Sequence, residues 1–289
     1  MELGVTGVGV GHWTDEVART GCTVVLLPPD TVASGEVRGG APASREFALL
    51  DPTRLVPSID AVVLAGGSAF GLAAADGVME VLEQQQRGFS TAHGPIPIVV
   101  GLALYDLGVG DSSVRPGAAA GRHAAEHATD SPATGAVGAG TGATVGNWRG
   151  PTHVRPGGLG IAVVRRAELV VTAIVATNAA GDIDDGATAA AVADGSFGDW
   201  PQRSETGINT TIGVVVTNAA LDKIECRLLA EGAHDGLARA IVPPHMRADG
   251  DAFVAAATGE VHADVDAVRF MAVIAVEQAV RESVASIEG

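Results

Sequence analysis

The residues with the most distinctive chemistry are a threonine and the asparagine before it. Thr210 follows a short polar run, residues 204–209, and stands directly before Thr211–Thr217, whose apolar, β-branched residues predict a buried strand. Asn209 tolerates left-handed or strained backbone, and Gly207 removes steric limits nearby. In this setting the Thr210 hydroxyl can attack the carbonyl of Asn209 to form an ester, which water then cleaves. The alternative is an ordinary turn followed by a strand.

Cleavage at this point would give Thr210 a second function. As a new chain terminus it carries an α-amine that can act as the base for its own hydroxyl, which is the chemistry of an N-terminal-nucleophile hydrolase. A free α-amine titrates at roughly 7.7–8.0, so it can accept a proton near neutral pH without a histidine.

A second candidate is the carboxylate pair Asp249 and Asp251, separated only by Gly250. Close carboxylates raise each other's pKa, so one member can hold a proton at neutral pH, orient an amine and relay protons to a leaving group. An exposed Asp-Gly turn is the alternative. The apolar run Asp251–Thr258 that begins here fits a strand or a helix equally well.

The glycine-rich segment Gly138–Ala143 matches the dinucleotide-binding pattern G-x-G-x-x-A. No apolar strand precedes it, since residues 131–134 read Ser-Pro-Ala-Thr, and no acidic residue follows at the expected spacing. We therefore expect a tight turn near the substrate and no cofactor.

Three weaker patterns have simpler interpretations. Ser68 stands between a strand and a helix but lacks the G-x-S-x-G spacing, so we expect it to cap the helix, whose N-terminus can face the substrate. His123 and His127 lack the glutamate of the zinc-protease pattern and predict a solvated helix face. Asp182–Gly186 is too short for a calcium loop and predicts a turn.

The elements that must position these residues are strands in neighbouring pairs and amphipathic helices. The predicted strands are Cys22–Leu27, Ala61–Leu64, Ile96–Val100, Gly157–Val164, Leu169–Thr177 and Thr211–Thr217, and the predicted helices are Leu72–Gln86, Ala118–Ala128, Asp222–Ala240 and Val265–Val284. Residues 184–200 predict a short helix and a loop that approaches the cleavage point. Paired strands without strict βαβ alternation favour layered sheets with helices outside.

Composition narrows the class of protein. The 289 residues suit one large α/β domain or two small ones, and 39 glycines with only 3% aromatic residues indicate close packing. A net charge of −16 argues against nucleic-acid and anionic-membrane partners. Cys22 and Cys226 form no disulfide framework, and no signal peptide or membrane-spanning run is found, so we expect a cytoplasmic protein.

With these residues in view, the chain resembles the DmpA-like family of self-processing aminopeptidases and amide hydrolases, peptidase family S58. The likeness extends along nearly the whole chain, and it is specific because the pieces keep their order and spacing. The matching pieces are Val10–Asp15, Gly21–Val25, Val37–Pro42, Gly66–Leu72, Gly138–Ala143, Asn209–Thr211 and Asp249–Asp251. A threonine nucleophile with an Asp-Gly-Asp pair is most similar to the nylon-oligomer endo-hydrolase branch.

The resemblance implies a four-layer α/β/β/α sandwich, related to that of ornithine acetyltransferase. It also implies self-cleavage of a single domain into residues 1–209 and 210–289, with Thr210 as the nucleophile. By the same resemblance, Asn178 and Tyr105 stabilise the oxyanion, and Asp249 and Asp251 are partners of the nucleophile. Preorganised donors to an oxyanion are worth ~10²–10³ in rate each.

One position departs from that branch. Its members carry a lysine close to the nucleophile after the glycine run, where this chain has Asn147 and Trp148. The only lysine, Lys223, lies on the helix predicted after the Thr211 strand. Asn147 can donate a hydrogen bond to a substrate but supplies no positive charge to lower the pKa of the α-amine.

We therefore expect a cofactor-free hydrolase of small peptides or amide oligomers that assembles as a homo-oligomer and binds no metal. Two alternatives stay open at this level. One is acyl transfer, as in ornithine acetyltransferase. The other is an uncleaved, catalytically weak or inactive binding protein on the same fold, suggested by Asn147.

Overall fold

The computed structural model describes residues 2–198 and 209–288. The strands are β1 (Gly9–Asp15), β2 (Thr20–Leu26), β3 (Val32–Val37), β4 (Ala43–Arg45), β5 (Ala61–Ala65), β6 (Phe89–Thr91), β7 (Gly94–Ile96), β8 (Val99–Ala103), β9 (Thr144–Val145), β10 (Arg155–Pro156), β11 (Gly158–Arg166), β12 (Leu169–Thr177), β13 (Asp182–Ile183), β14 (Ile212–Ala219), β15 (Ile241–Val242) and β16 (Ala252–Val261). The α-helices are α1 (Ala74–Gln84), α2 (Ala118–Glu126), α3 (Ala187–Asp194), α4 (Lys223–Ala240) and α5 (Val265–Glu288). Short 3₁₀ helices span Phe47–Leu50, Ser68–Ala73, Gly138–Gly140, Asn147–Arg149 and Pro151–His153.

Ten of these strands form two five-stranded sheets. The first has the order β1-β2-β5-β8-β4 and the second the order β11-β12-β14-β16-β3. Each sheet contains one parallel pair, β5 with β8 and β14 with β16, and its other pairs are antiparallel. Because parallel neighbours begin at the same edge, the segments that lead into β14 and β16 lie side by side.

The two sheets pack face to face around an aliphatic core. Successive side chains of a strand point to opposite faces, so Val214 of β14 faces the first sheet, where it packs in one cluster with Val62 and Leu64 of β5. Val215, its neighbour in sequence, faces the other way and packs against α4 and α5.

Helices cover the outer face of each sheet. α1 and α2 cover the first sheet, with Val78 and Leu82 of α1 packed against Val24 and Val63. α4 and α5 cover the second sheet. The layer order is therefore α/β/β/α, and the predicted sandwich is confirmed.

Small residues allow these layers to approach closely. A Cβ at Gly160 of β11 would lie 1.8 Å from the carbonyl oxygen of Ala279 on α5, and a Cβ at Gly77 of α1 would lie 1.8 Å from that of Ala118 on α2. Both glycines are needed because the opposing atom is backbone. This packing accounts for a chain rich in glycine and alanine and poor in aromatic residues.

Most predicted elements are present, with ends shifted by a few residues. The strand predicted at Ile96–Val100 begins at Val99, and Leu169–Thr177 is confirmed in full. The undecided run Asp251–Thr258 is strand β16. Strands β1, β3 and β4 were not predicted. Residues 199–208, which include the end of the predicted approach loop and most of the polar run before Thr210, lie outside the described residues.

The cysteines and the helices agree with the composition. Cys22 on β2 and Cys226 on α4 are buried free thiols in different core clusters, so the prediction that they form no disulfide is confirmed. Within the described ranges, no helix combines the length and apolar character needed to cross a bilayer.

Candidate active site

Three strand ends of the second sheet meet at one edge and bring the predicted residues together. β14 and β16 are parallel neighbours, with Ile212 opposite Ala252, and β12 runs antiparallel to β14 on its other side. The end of β12 therefore meets the starts of β14 and β16. Asn178 comes directly after β12, Thr210 precedes β14 by two residues, and Asp251 comes directly before β16.

Backbone hydrogen bonds hold the peptide on both sides of Thr210. The Thr210 N–H donates to the carbonyl oxygen of Asn178 at 2.7 Å, and the Gly250 N–H donates to the carbonyl oxygen of Asn209 at 3.1 Å. Asn209 also forms a parallel bridge with Asp249. Asn209 and Thr210 are each 3% exposed, so the junction is a buried extension of the sheet.

The Thr210 side chain lies against its own preceding peptide. Its Oγ1 donates to the carbonyl oxygen of Asn209 at 2.5 Å. That oxygen therefore accepts two hydrogen bonds, one from the hydroxyl and one from the Gly250 amide, and both polarise the C=O bond. The residue with nucleophilic potential and the peptide it could attack are thus in contact.

Asp249 and Asp251 are both buried, each 2% exposed. The Asp251 carboxylate accepts from the Thr211 N–H at 2.7 Å through Oδ1 and from His245 Nδ1 at 2.8 Å through Oδ2. The Asp249 carboxyl accepts from the Met246 N–H at 2.8 Å and the Ala180 N–H at 3.3 Å. The alternative of an exposed Asp-Gly turn is wrong, because the turn is enclosed by neighbouring backbone.

Burial changes the proton affinity of this pair. Removal from water, and then the nearby Asp251 charge, raise the pKa of Asp249 to about 7. Gly250 is required between them, because a Cβ there would lie 2.3 Å from the carbonyl oxygen of Ala41. The arrangement can hold one exchangeable proton at neutral pH.

Asn178 is held in one orientation by two groups. Its Oδ1 accepts from the Thr144 N–H at 2.9 Å, which fixes which side of the carboxamide carries the nitrogen, and its Nδ2 donates to the carbonyl oxygen of Tyr105 at 3.0 Å. One Nδ2 hydrogen remains for a ligand. Tyr105 is half-buried, and its backbone carbonyl oxygen is the atom that accepts the hydrogen bond from Asn178. Its phenol makes no hydrogen bond within the described residues.

Asn147 lies close to Asn178, and its side chain hydrogen-bonds to a neighbouring residue of the chain. Its Nδ2 donates to Thr144 Oγ1 at 3.0 Å. Lys223 is elsewhere, at the start of α4, where its ammonium donates to the carbonyl oxygens of Leu49 and Val56 at 2.8 Å each. In the part of the chain that the structure describes, no lysine reaches Thr210.

The prediction that Ser68 caps a helix is wrong. Ser68 is the first residue of a 3₁₀ segment, Gly67 holds the capping position, and no side-chain cap is formed. The reason is Asp106, whose carboxylate accepts from the Gly67 N–H at 2.6 Å and from Thr20 Oγ1 at 2.7 Å. Burial raises the pKa of Asp106. Ser68 still lies near the site, since its N–H donates to Leu104, the residue before Tyr105.

The model of the family described as "Peptidase family S58" matches residues 3–288 of this chain. The chain belongs to peptidase family S58. Membership makes it a peptidase, a hydrolase of peptide or amide bonds.

Relatives and solved structures agree with this assignment. An uncharacterized aminopeptidase of Mycobacterium leprae is 41% identical over 295 residues, covering 91% of this chain and 80% of that protein. A 6-aminohexanoate-oligomer endohydrolase of Paenarthrobacter ureafaciens is 30% identical over 280 residues, covering 88% and 74%. The structure of an L-aminopeptidase D-Ala-esterase/amidase from Ochrobactrum anthropi, with an Ntn-hydrolase fold, has a TM-score of 0.75 at 21% identity, covering 99% and 86%.

The remaining motifs of this S58 chain are structural. Gly138–Gly140 form a buried turn whose amides donate to Thr14 and Thr23 on β1 and β2, so the tight turn is confirmed. A Cβ at Gly140 would lie 2.2 Å from the amide nitrogen of Leu159. The segment joins the two sheets.

The two surface patterns also agree with their simpler interpretations. His123 and His127 are exposed and stack at 4.2 Å between ring centroids. Gly186 closes a turn on the Asp184 side chain, whereas Asp182 belongs to β13. Among the described residues, no group of three or more histidine, cysteine or acidic side chains is placed to hold a metal ion.

Sequence reasoning missed three residues of this S58 site: His245, Thr144 and Asp106. His245 follows two prolines in a loop without periodicity, and Thr144 acts through its amide, which any residue type supplies. Only Asp106, adjacent to Tyr105 at the end of a predicted strand, carried a signal that position alone could have revealed.

Proposed function

We propose that this S58 peptidase is a self-processing hydrolase whose nucleophile is Thr210. The observation that carries the proposal is the contact between Thr210 Oγ1 and the carbonyl oxygen of Asn209 at 2.5 Å, on a carbonyl that also accepts the Gly250 N–H. A hydroxyl in contact with a polarised peptide needs little further movement to attack it.

Self-processing proceeds by transfer of an acyl group from nitrogen to oxygen. Thr210 Oγ1 attacks the carbonyl carbon of Asn209 and loses its proton, and the Gly250 N–H stabilises the resulting oxyanion. The C–N bond breaks, the Thr210 nitrogen takes a proton, and an ester links Asn209 to Oγ1. Water hydrolyses the ester, which leaves an Asn209 carboxylate and a Thr210 α-amine.

The processed site can hydrolyse other amides by the same atoms. The Thr210 nitrogen already donates to the carbonyl oxygen of Asn178 at 2.7 Å, so this contact can orient the new amine toward its hydroxyl. Attack on a substrate carbonyl forms an acyl ester on Oγ1 and releases the amine product, and water then frees the acid. The free Nδ2 hydrogen of Asn178 and the Tyr105 hydroxyl are the proposed oxyanion donors, and Ser68 and Asn147 are proposed to border the substrate.

We infer small peptides or amide oligomers as substrates, because the named relatives are aminopeptidases and amide-oligomer endohydrolases. The proposed reaction uses the threonine and its amine and requires no cofactor. A homo-oligomer of processed protomers in the cytoplasm completes the proposal, and the free thiols support the reducing compartment.

Intact mass and denaturing gel electrophoresis of the purified chain test the proposal. The expected result is two fragments, residues 1–209 and 210–289, whose masses sum to that of the full chain plus one water. Thr210→Ala should remain a single chain, and Thr210→Ser should still be cleaved. Thr211→Val is the matched control, since the Thr211 hydroxyl is buried without a hydrogen-bond partner in the described part of the chain.

A wild-type chain that stays intact in every preparation would refute self-processing and favour the uncleaved binding protein suggested by Asn147. Cleavage that persists in Thr210→Ala would place the nucleophile elsewhere. Supplying an amine acceptor alongside water separates hydrolysis from acyl transfer, because a transferase would yield the acylated amine as the main product.

A further inference from the structure

Among the described residues, His245 is the only side chain that hydrogen-bonds to the aspartate pair. It lies in the loop between β15 and β16, with its Nδ1 2.8 Å from Asp251 Oδ2, and the two side chains are 15% and 2% exposed. The other Asp251 oxygen accepts the Thr211 N–H at 2.7 Å. When Asp251 is ionised its carboxylate only accepts, so in that state His245 Nδ1 carries the proton and donates it.

Asp249 has a different environment. Its two oxygens accept only the backbone amides of Met246 and Ala180, at 2.8 and 3.3 Å. Both hydrogen bonds to Asp251 are 2.8 Å or shorter, whereas one of the two to Asp249 is long, so the carboxylate form is better stabilised at Asp251. Since two neighbouring buried carboxylates disfavour double ionisation, the proton goes to the member without the histidine.

We propose that His245 is a positioning residue for the aspartate pair: its ring N–H keeps Asp251 as the carboxylate and leaves Asp249 as the member that holds the exchangeable proton. This inference rests on the proposed function, since it gives the pair a part in reactions at Thr210.

The neighbours of His245 do not offer it another polar partner. The His234 ring on α4 contacts it edge to face at 5.0 Å between centroids, and the His234 Nε2 donates to the Glu36 carbonyl oxygen at 2.9 Å. Burial lowers the pKa of His234 to about 3, so that ring is neutral. His245 Nε2 is buried and makes no hydrogen bond in the described ranges, so the hydrogen bond with Asp251 is the only one its ring makes there.

The charged groups around the two histidines are paired among themselves. Glu36 on β3 pairs with Arg38 at 3.3 Å and with Arg227 on α4 at 3.5 Å. Asp235 on α4 pairs with Arg38 at 3.2 Å and with Arg269 on α5 at 3.3 Å. The titratable groups facing His245 are therefore Asp249 and Asp251 from the turn before β16 and neutral His234 from α4.

The backbone of His245 supports a dedicated role. Its φ is 50°, in the left-handed region, which is unfavourable for a residue other than glycine. Such a conformation persists where the surrounding structure imposes it. Here it accompanies a ring directed inward to a carboxylate.

The first test measures protonation directly, in a Thr210→Ala chain labelled with carbon-13 at the aspartate carboxyls. Signals are assigned with Asp249→Asn and Asp251→Asn. We expect the Asp249 signal to titrate near neutral pH, so that the proton of the pair appears on Asp249 and not on Asp251. Adding His245→Ala should make Asp251 titrate in the same range as Asp249. Unchanged titrations of both aspartates would overturn the proposal.

The second test follows cleavage in chains made by cell-free synthesis and chased at different pH. Loss of a donor that favours the carboxylate raises the proton affinity of Asp251. The acid limb of the cleavage rate should therefore move to higher pH, by about one unit in His245→Ala. His245→Asn keeps an N–H near the Nδ1 position and suits positive φ, so it should restore most of the rate.

Two controls separate the possible failures. His127→Asn removes an exposed histidine and should leave the pH profile unchanged. A slower His245→Ala with an unmoved acid limb would reduce His245 to a structural role and overturn the proposal. If that variant does not fold, His245→Gly, which also lacks the ring N–H and suits positive φ, decides by the same titrations. A wild-type chain that never cleaves would refute the proposed function alone, because the carboxyl titrations still decide the role of His245.

Discussion

Asp249 should make the folded chain less stable as pH rises, and replacing it with asparagine should remove that dependence. The perturbation is Asp249→Asn in a Thr210→Ala background, so that both proteins stay as one chain. Asparagine has nearly the same shape and can still accept the Met246 N–H, but its amide then faces the Ala180 N–H. The clash between two donors should cost about 1 kcal/mol at every pH.

The magnitude follows from the proton affinities of the two states. The pKa of Asp249 rises from 3.8 in the unfolded chain to about 7 in the fold. A raised acid pKa means that the folded state binds the proton more tightly, so its stabilising effect is full at low pH and is lost as pH rises through 7. Between pH 5 and 7 the unfolded group is ionised and the folded group is not, which at ~1.4 kcal/mol for each of two pH units gives about 3 kcal/mol.

The assay is urea unfolding at pH 5 and pH 9, with the two proteins compared at each pH. Titrations of groups that do not interact with Asp249 are common to both and cancel in the difference. We expect the free energy of unfolding of the Asp249→Asn protein, relative to that of its parent, to increase by about 3 kcal/mol between pH 5 and 9. Asp130→Asn, at an exposed position, is the control and should show no such change. A difference that stays constant within about 0.5 kcal/mol would refute the reasoning, because Asp249 would then be ionised in the fold at pH 5.

Two further predictions concern Asn178 and the close packing of α5. Asn178→Ala removes a proposed oxyanion donor of the substrate reaction, so the kcat of the processed protein on a peptide substrate should fall by ~10²–10³ while the fold, checked by circular dichroism, is kept. Gly160→Ala places a Cβ 1.8 Å from the Ala279 carbonyl oxygen, and overpacking of about 1–3 kcal/mol should lower Tm by several degrees. Gly108→Ala meets no atom within 4 Å and should leave Tm unchanged.

Most helices and strands of the layers could be predicted because local sequence patterns mark them. Asp222 and Glu225 mark the start of α4, because they form a reciprocal capping box. Strand β12 is marked by an unbroken apolar run. β1 was missed because Gly9–Asp15 mixes glycine, histidine and tryptophan and becomes a strand by pairing with β2. Pairing between distant segments overrides weak local preference.

The candidate site likewise has features that local sequence could predict and features that it could not. Thr210 could be singled out because a hydroxyl residue stood at the entry to a strand, and the Asp249–Asp251 pair because of its spacing. Their proximity could not be derived from local sequence, since it depends on β14 and β16 being parallel neighbours, a property of strand order. His245 reaches Asp251 only through a left-handed residue in an irregular loop, and no periodic pattern marks such a position.

Strand order also bears on what the proposed cleavage would leave behind. Residues 210–289 contain β14, α4, β15, β16 and α5, and their two long strands occupy the middle of the second sheet. β14 pairs with β12 on one side and β16 pairs with β3 on the other, both from the part before the cleavage point. Separating the fragments would break both ladders and expose the cores on both faces of the sheet. A nucleophile at the start of a central strand can therefore be freed by chain scission while the sheet that positions Asn178 and the aspartates stays whole.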